Sequence, residues 1–259
     1  MAEHRPLRYV ALGDSQTEGV GDGHESTGWR GFADRFAVLL ARHHPSLSYA
    51  NLAVRGRRAH QVHHEQLAPA LGLEPDVATV VAGVNDVLRP RFEAAQVAGH
   101  VESVWAALRG QGAQVLSMTF PDPAPLVPAA RPVSGRVREL NALLRRAARR
   151  QGVLLAEMEG HAVVGDARLW SQDRLHAGPE GHARMAAALA QVWGLPGSDD
   201  SWTRPLPGPA PVGRAGWQAL AGEVGWAARF VGPWVLRRVR GRSSGDGRSA
   251  KRPLLMPVR

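Results

Sequence analysis

The sequence predicts an α/β domain, a parallel β-sheet covered on both faces by helices, followed by a short appendage. Three observations lead there. At 259 residues the chain can bury a sizeable core. Its hydrophobic fraction of 44% and charged fraction of 21% are those of an ordinary globular protein. Short apolar, β-branched runs alternate with longer stretches of helical period, and such alternation builds parallel sheets with helices on both sides.

Five runs read as buried strands: residues 9–12, 47–52, 77–82, 115–119 and 153–156. Residues 29–42, 59–71, 92–109, 133–150 and 179–192 read as amphipathic helices. In the first of these, Phe32, Phe36, Leu39 and Leu40 fall on one face at spacings of three and four. Residues 120–132 carry five prolines and no period, which predicts a long loop. From 196 to 212 the composition shifts to Pro, Gly, Ser and Asp, as in a linker or surface strap. Residues 217–239 are helix-like again, and the polar, Gly-, Ser- and Arg-rich stretch 241–251 predicts disorder. The expected organisation is a domain over residues 1–195 and an extension over 196–259.

The net charge of +9 sits mostly in that extension. Up to Pro196 there are 21 Lys and Arg against 19 Asp and Glu; after it there are 11 against 4. The absence of cysteine excludes disulfides, thiolate nucleophiles and cysteine-type zinc sites. The only lysine is Lys251, which argues against a phosphate clamp or Schiff base in the domain. No apolar stretch of signal-peptide length precedes the first strand. No run approaches the roughly 18–20 apolar residues of a membrane-spanning helix. The expectation is a soluble, cytoplasmic protein.

Four short segments carry chemistry. Gly13-Asp14-Ser15-Gln16-Thr17-Glu18-Gly19 directly follows the first strand, and open parallel sheets bind ligands beyond the carboxyl ends of their strands. It is neither a phosphate loop nor a Gly-x-Ser-x-Gly elbow, since Thr17 stands where the second glycine belongs. Trp170-Ser171-Gln172-Asp173-Arg174-Leu175-His176 precedes the last helix. A serine hydroxyl near pH 7 needs a base such as histidine, and a carboxylate three residues away can fix the tautomer of that base. Gly56, in Asn51-Leu52-Ala53-Val54-Arg55-Gly56, and Asn85, in Gly83-Val84-Asn85-Asp86, lie past the second and third strands. Both can aim N–H donors at the oxyanion of ester cleavage. Taken singly, each feature has a simpler reading: a capping serine, a surface Asp–His pair, a turn glycine, a capping asparagine. At one sheet edge, however, they supply nucleophile, base, orienter and oxyanion donors together, the full inventory of an acyl-transfer site.

The blocks GDSQTEG, NLAVRG, GVND and DRLHAGPEGH, in this order and spacing, resemble the conserved blocks of the GDSL, or SGNH, hydrolases over about residues 8–193. The opening GDSQTEGVGDG followed by WRGFADRFA looks most like intracellular actinobacterial members. The resemblance implies a flavodoxin-like three-layer α/β/α fold with five parallel strands. It implies a triad of Ser15, Asp173 and His176, with oxyanion donors from the Ser15 backbone N–H, Gly56 and Asn85. It also implies carboxylic ester cleavage through an acyl-enzyme, without metal or organic cofactor. Gln16 stands where the family's name motif has leucine, a position that is not itself catalytic. Because the family also holds thioesterases and acyltransferases, the resemblance fixes mechanism better than substrate. A non-enzymatic binding module on the same scaffold is the rival reading.

Other residues have plainer expectations. His60, His63 and His64 lack an acidic or cysteine partner at ligand spacing and read as a solvated polar face rather than a metal site. His182 reads as a packing or capping histidine. The Asp14 side chain is expected to point away from the nucleophile, and Arg55, Arg57 and Arg58 to be solvent-exposed. In the extension, Trp217, Leu220, Val224, Ala228, Val231 and Val235 form a stripe at helical spacing, interrupted by Gly232-Pro233 and followed by Arg237, Arg238, Arg240 and Arg242. Three readings stay open: a helix packed on the body, a lid over the acyl pocket, or an anchor for anionic membrane. Nucleic-acid binding is not expected.

Overall fold

The structure, a computed structural model, describes residues 6–209, 224–240 and 242–258. Strands β1 (Arg8–Gly13), β2 (Ser48–Asn51), β3 (Val77–Val81), β4 (Gln114–Met118) and β5 (Leu154–Ala156) run parallel in the spatial order β5-β4-β3-β1-β2. Residues 9–12 and 77–81 are buried throughout, so these central strands must be covered on both faces. Helices α1 (Phe32–Ala41), α2 (Ala94–Gly110), α3 (Arg131–Gln151) and α4 (Pro179–Trp193) supply the cover, α1 packing with α4 and α2 with α3. The β1–β2 crossover runs one way along the sheet and β3–β4–β5 the other. With right-handed crossovers, α1 therefore lies on the opposite face from α2 and α3. The expected three-layer α/β/α architecture is present. Its switch point lies between β1 and β3, where ligands bind in such sheets.

The sheet has six strands rather than the five expected. β6 (Arg252–Pro257) comes from the basic extension and pairs antiparallel with β2 at the edge. Pro253 and Pro257 hide it in the sequence, because proline cannot donate to a ladder and is tolerated only at a sheet edge. Lys251 Nζ donates to Asp34 Oδ2 at 2.6 Å and to the Trp29 carbonyl at 2.9 Å. Arg252 donates to the Tyr49 carbonyl and lies 5.2 Å over the Tyr49 ring. The sheet thus extends beyond residues 1–195.

Three further features bear on the site. The helix expected over 59–71 is broken into Ala59–Gln61, a π-helical turn Val62–Gln66, and Leu67–Gly72. Residues 242–251 do not trail away but run along Arg55 and Gly56 on the way to β6. There, Ser243 Oγ donates to the Gly56 carbonyl at 3.3 Å. In the extension, a π turn (Ala227–Val231) leads into helix α5 (Gly232–Val239), with Val224 63% and Leu236 50% exposed. Trp217 and Leu220, and the side chains of Val231 and Val235, lie outside the described residues. No helix among the described residues is long and apolar enough to cross a membrane.

Candidate active site

The nucleophile turn is set by the residue before it. Gly13 has φ +154°, and a Cβ there would sit 2.3 Å from Thr17 Oγ1 and 2.4 Å from the Val81 carbonyl, so only glycine fits. Gln66, at the end of the π turn, grips this glycine from both sides. Its Oε1 accepts from Gly13 N and its Nε2 donates to the Gly13 carbonyl, each at 2.9 Å. The short helix Ser15–Glu18 follows, capped by Asp14, whose Oδ1 accepts from Gln16 N. Ser15 thereby opens a helical turn just beyond β1.

Across the crevice, the loop before α4 brings the histidine and aspartate to this serine. Asp173 Oδ2 accepts from His176 Nδ1 at 2.6 Å, which fixes the neutral ring's proton on Nδ1. Nε2 is then the acceptor for Ser15 Oγ, 2.8 Å away. Asp173 Oδ1 accepts from Ser171 Oγ and from the backbone N–H groups of Leu175 and His176. Burial works against the Asp173 charge, but the His176 bond and these donors outweigh it and hold the carboxyl well below the usual range. Arg174, at φ +57°, makes the tight turn between them.

The two oxyanion candidates arrive at the same edge. Gly56 (φ +75°) and Asn85 line a small cavity with Arg89, Arg237, Arg242, Ser243 and Ser244. Asn85 Nδ2 donates to Asp14 Oδ2 at 3.0 Å and to the Arg57 carbonyl at 3.1 Å, so both its protons are engaged. The Asp14 side chain therefore faces the site, contrary to expectation, and burial lifts its pKa to about 7. Arg55 is not a solvent-exposed arginine either. Its side chain is 11% exposed and forks onto Glu18, whose Oε2 also accepts the Arg55 backbone N–H at 2.7 Å. This pair ties the Gly56 turn to the nucleophile turn. Asn51 adds a second tie, its Nδ2 donating to the Thr17 carbonyl at 2.8 Å.

Beside Gln16 and Ala177 opens an apolar cavity of about 60 Å³, walled by Met118, Phe120, Met158, Leu169 and Trp202. His182 is fully buried. It accepts the first N–H of α1 from Phe32, donates from Nε2 to the Val20 carbonyl, and is held neutral by burial, its pKa lowered to about 4.

Sequence reasoning passed over Gln16, Glu18 and Gln66. Gln16 Nε2 donates to the Leu175 carbonyl at 3.0 Å and its Oε1 accepts from Ala177 N at 3.2 Å, so it bridges the residues on either side of His176. The only signal was that a polar residue replaces the leucine of the name motif. Glu18 and Gln66 gave none, because their partners lie 37 and 53 residues away.

Among curated proteins none matches the sequence. Solved structures do. The lipase Lip_vut3 from a goat rumen metagenome shares 19% identity at a TM-score of 0.57, covering 75% of this chain and 99% of that one. The acetylxylan esterase Axe2 of Geobacillus stearothermophilus shares 17% at 0.62, over 79% and 99%. LAE5, an α/β hydrolase from the Lake Arreo metagenome, shares 22% at 0.60, over 73% and 95%. At such identities these likenesses show the common fold. The pattern of the GDSL-like lipase/acylhydrolase family matches residues 11–184, about two thirds of the sequence. The chain belongs to that family, and the protein is a carboxylic ester hydrolase.

Proposed function

We propose that the protein is a serine esterase working through Ser15, His176 and Asp173 by way of an acyl-enzyme. The relay from Ser15 Oγ to His176 Nε2 (2.8 Å) and from Nδ1 to Asp173 Oδ2 (2.6 Å) carries this reading. His176 takes the hydroxyl proton as Ser15 Oγ bonds to the ester carbonyl carbon, and Asp173 stabilises the imidazolium. The imidazolium then protonates the leaving alcohol as the C–O bond breaks. Water, deprotonated by His176, attacks the acyl-enzyme and frees the acid. The oxyanion donors are the backbone N–H groups of Ser15 and Gly56 and the Asn85 amide. One Asn85 proton must be released or shared, and the neutral Arg57 carbonyl is the weaker of its two present acceptors.

The apolar cavity suits a short acyl chain, as does the likeness to an acetylxylan esterase. On p-nitrophenyl esters of rising length, turnover should be highest for the shortest. Ser15→Ala should lower kcat by about 10³-fold or more, with the fold intact. A fluorophosphonate should label the wild type at Ser15; labelling elsewhere, or unchanged turnover in the variant, overturns the assignment. Acceptor alcohols added to the assay yield acylated product only if an acyltransferase is at work. A second proposal is peripheral contact of the extension with anionic membrane. It is favoured by exposed Val224 and Leu236 beside Arg229, Arg237 and Arg240 on one helical stretch.

A further inference from the structure

Outside the ester-cleaving site, histidines from two distant segments converge where the turn Val62–Gln66 meets α2. His63 and His64 come from that turn and His100 from α2. The Nδ1 atoms of His63 and His100 are 3.2 Å apart, and the ligand nitrogens of all three residues lie within 4.8 Å of one another.

The turn itself is part of the observation. Consecutive residues of a regular α-helix point about 100° apart. Here the π turn brings the rings of His63 and His64 into a stack at 4.8 Å, both edge-on to His100. Such turns are rare and recur at functional sites. Two ring nitrogens at 3.2 Å leave two arrangements: an N–H···N bond between neutral rings, or one cation shared by their lone pairs. Tetrahedral coordination at about 2.0–2.1 Å would set ligand nitrogens roughly 3.3 Å apart, close to the spacing seen.

We propose that His63, His64 and His100 bind a single late first-row divalent cation such as zinc, with water completing its coordination. His64 is exposed, so its ring can turn to close the remaining gap. His60 lies near, but its Nε2 faces the Arg58 guanidinium at 3.5 Å, which leaves it out of the ligand set. Arg58, Arg89 and Arg91 line the adjoining cavity with Asp86 and Glu93, and their charge opposes a cation. A neutral three-imidazole set beside them makes micromolar affinity the expectation, on the order of 10⁻⁶ M. A bound ion would brace the same turn whose last residue, Gln66, holds Gly13.

The test uses the full chain without an affinity tag, stripped with chelator and titrated calorimetrically with zinc chloride at pH 7.5. One ion should bind per chain. His63→Ala and His100→Ala should each weaken binding by about tenfold or more, while His43→Ala, in the turn that follows α1, should not. Saturating zinc should raise the thermal midpoint of the wild type and not of His100→Ala. Circular dichroism and a cooperative thermal transition in the absence of metal establish that the variants are folded. Wild-type binding no tighter than that of folded His63→Ala and His100→Ala overturns the site and leaves a plain imidazole hydrogen bond. That outcome does not touch the esterase reading.

Discussion

Gln16→Leu would restore the residue of the family's name motif and is expected to harm this enzyme. Gln16 bonds the Leu175 carbonyl and the Ala177 N–H, so it clamps the loop that carries His176 against the nucleophile turn. Leucine removes both bonds, each worth about 1 kcal/mol net. Ala177 is 3% exposed, so its N–H would also lose its partner with poor access to water, adding roughly 1–2 kcal/mol. The total, about 3–4 kcal/mol, falls on the histidine loop rather than on the distant core. A loop loosened to that extent populates misaligned His176 geometries, and kcat on p-nitrophenyl acetate should fall about tenfold or more with KM little changed. Gln16→Glu keeps the acceptor for Ala177 N but sets an oxygen against the Leu175 carbonyl, and should fall between wild type and leucine. Turnover and denaturant unfolding would be measured for all three. If stability drops by that amount while kcat holds, Gln16 is a structural clamp only and does not position His176 for catalysis. If neither changes, the two hydrogen bonds carry no energy.

Asn85→Ala should cost about 10²–10³-fold in kcat, since a donor to the oxyanion acts on the transition state; a raised KM with normal kcat would make Asn85 structural instead. Burial lifts Asp14 from an ordinary 3.8 to about 7, so the folded state keeps a proton that the unfolded chain releases. Stability is therefore lost as pH rises from about 4 to 7, by up to roughly 4 kcal/mol, and Asp14→Asn should abolish this slope in denaturation curves. His182, lowered to about 4, acts oppositely: the unfolded chain binds the proton first, so stability falls as pH drops from about 6.5 to 4, a trend Asp14→Asn should unmask. For the extension, Val224→Ser with Leu236→Ser should reduce cosedimentation with anionic vesicles at low salt, and equal recovery of both proteins would remove the membrane proposal.

Much of the fold was readable because its signals are local. The strand runs are short and apolar with no charge inside them, and helices α1 to α4 keep their period, so burial alone assigns them. The four blocks of the site were readable for a different reason. The sheet's topology delivers the ends of β1, β2 and β3 to one edge, and the residues there are chemically unusual together even though each is ordinary alone. The geometry that completes the site was not readable. Glu18 with Arg55, Gln66 with Gly13, and His63 with His100 join residues 37, 53 and 37 positions apart, and no spacing rule pairs them. The π turn has no pattern of its own, since residues 59–71 carry an unbroken helical period.

The extension shows where composition misleads. An excess of seven positive charges after Pro196 reads as a free basic end, yet three of those charges are fastened to the body. Lys251 pairs with Asp34, Arg248 with Glu25, and Arg252 with the Tyr49 carbonyl and ring. Asp34 and Glu25 belong to the near-neutral domain, so its balance of charge was already matched to the tail. Along the way the segment crosses Gly56, where a Cβ would lie 2.3 Å from Ser243 Oγ. Trp226 donates from Nε1 to the Gln172 carbonyl and takes the Arg174 guanidinium over its ring at 4.8 Å. The extension therefore touches the oxyanion side through Ser243 and the Asp173 loop through Trp226. Deleting everything after Pro196 would remove a sheet edge and both contacts at once, so only point substitutions can separate the tail's structural part from any part in catalysis.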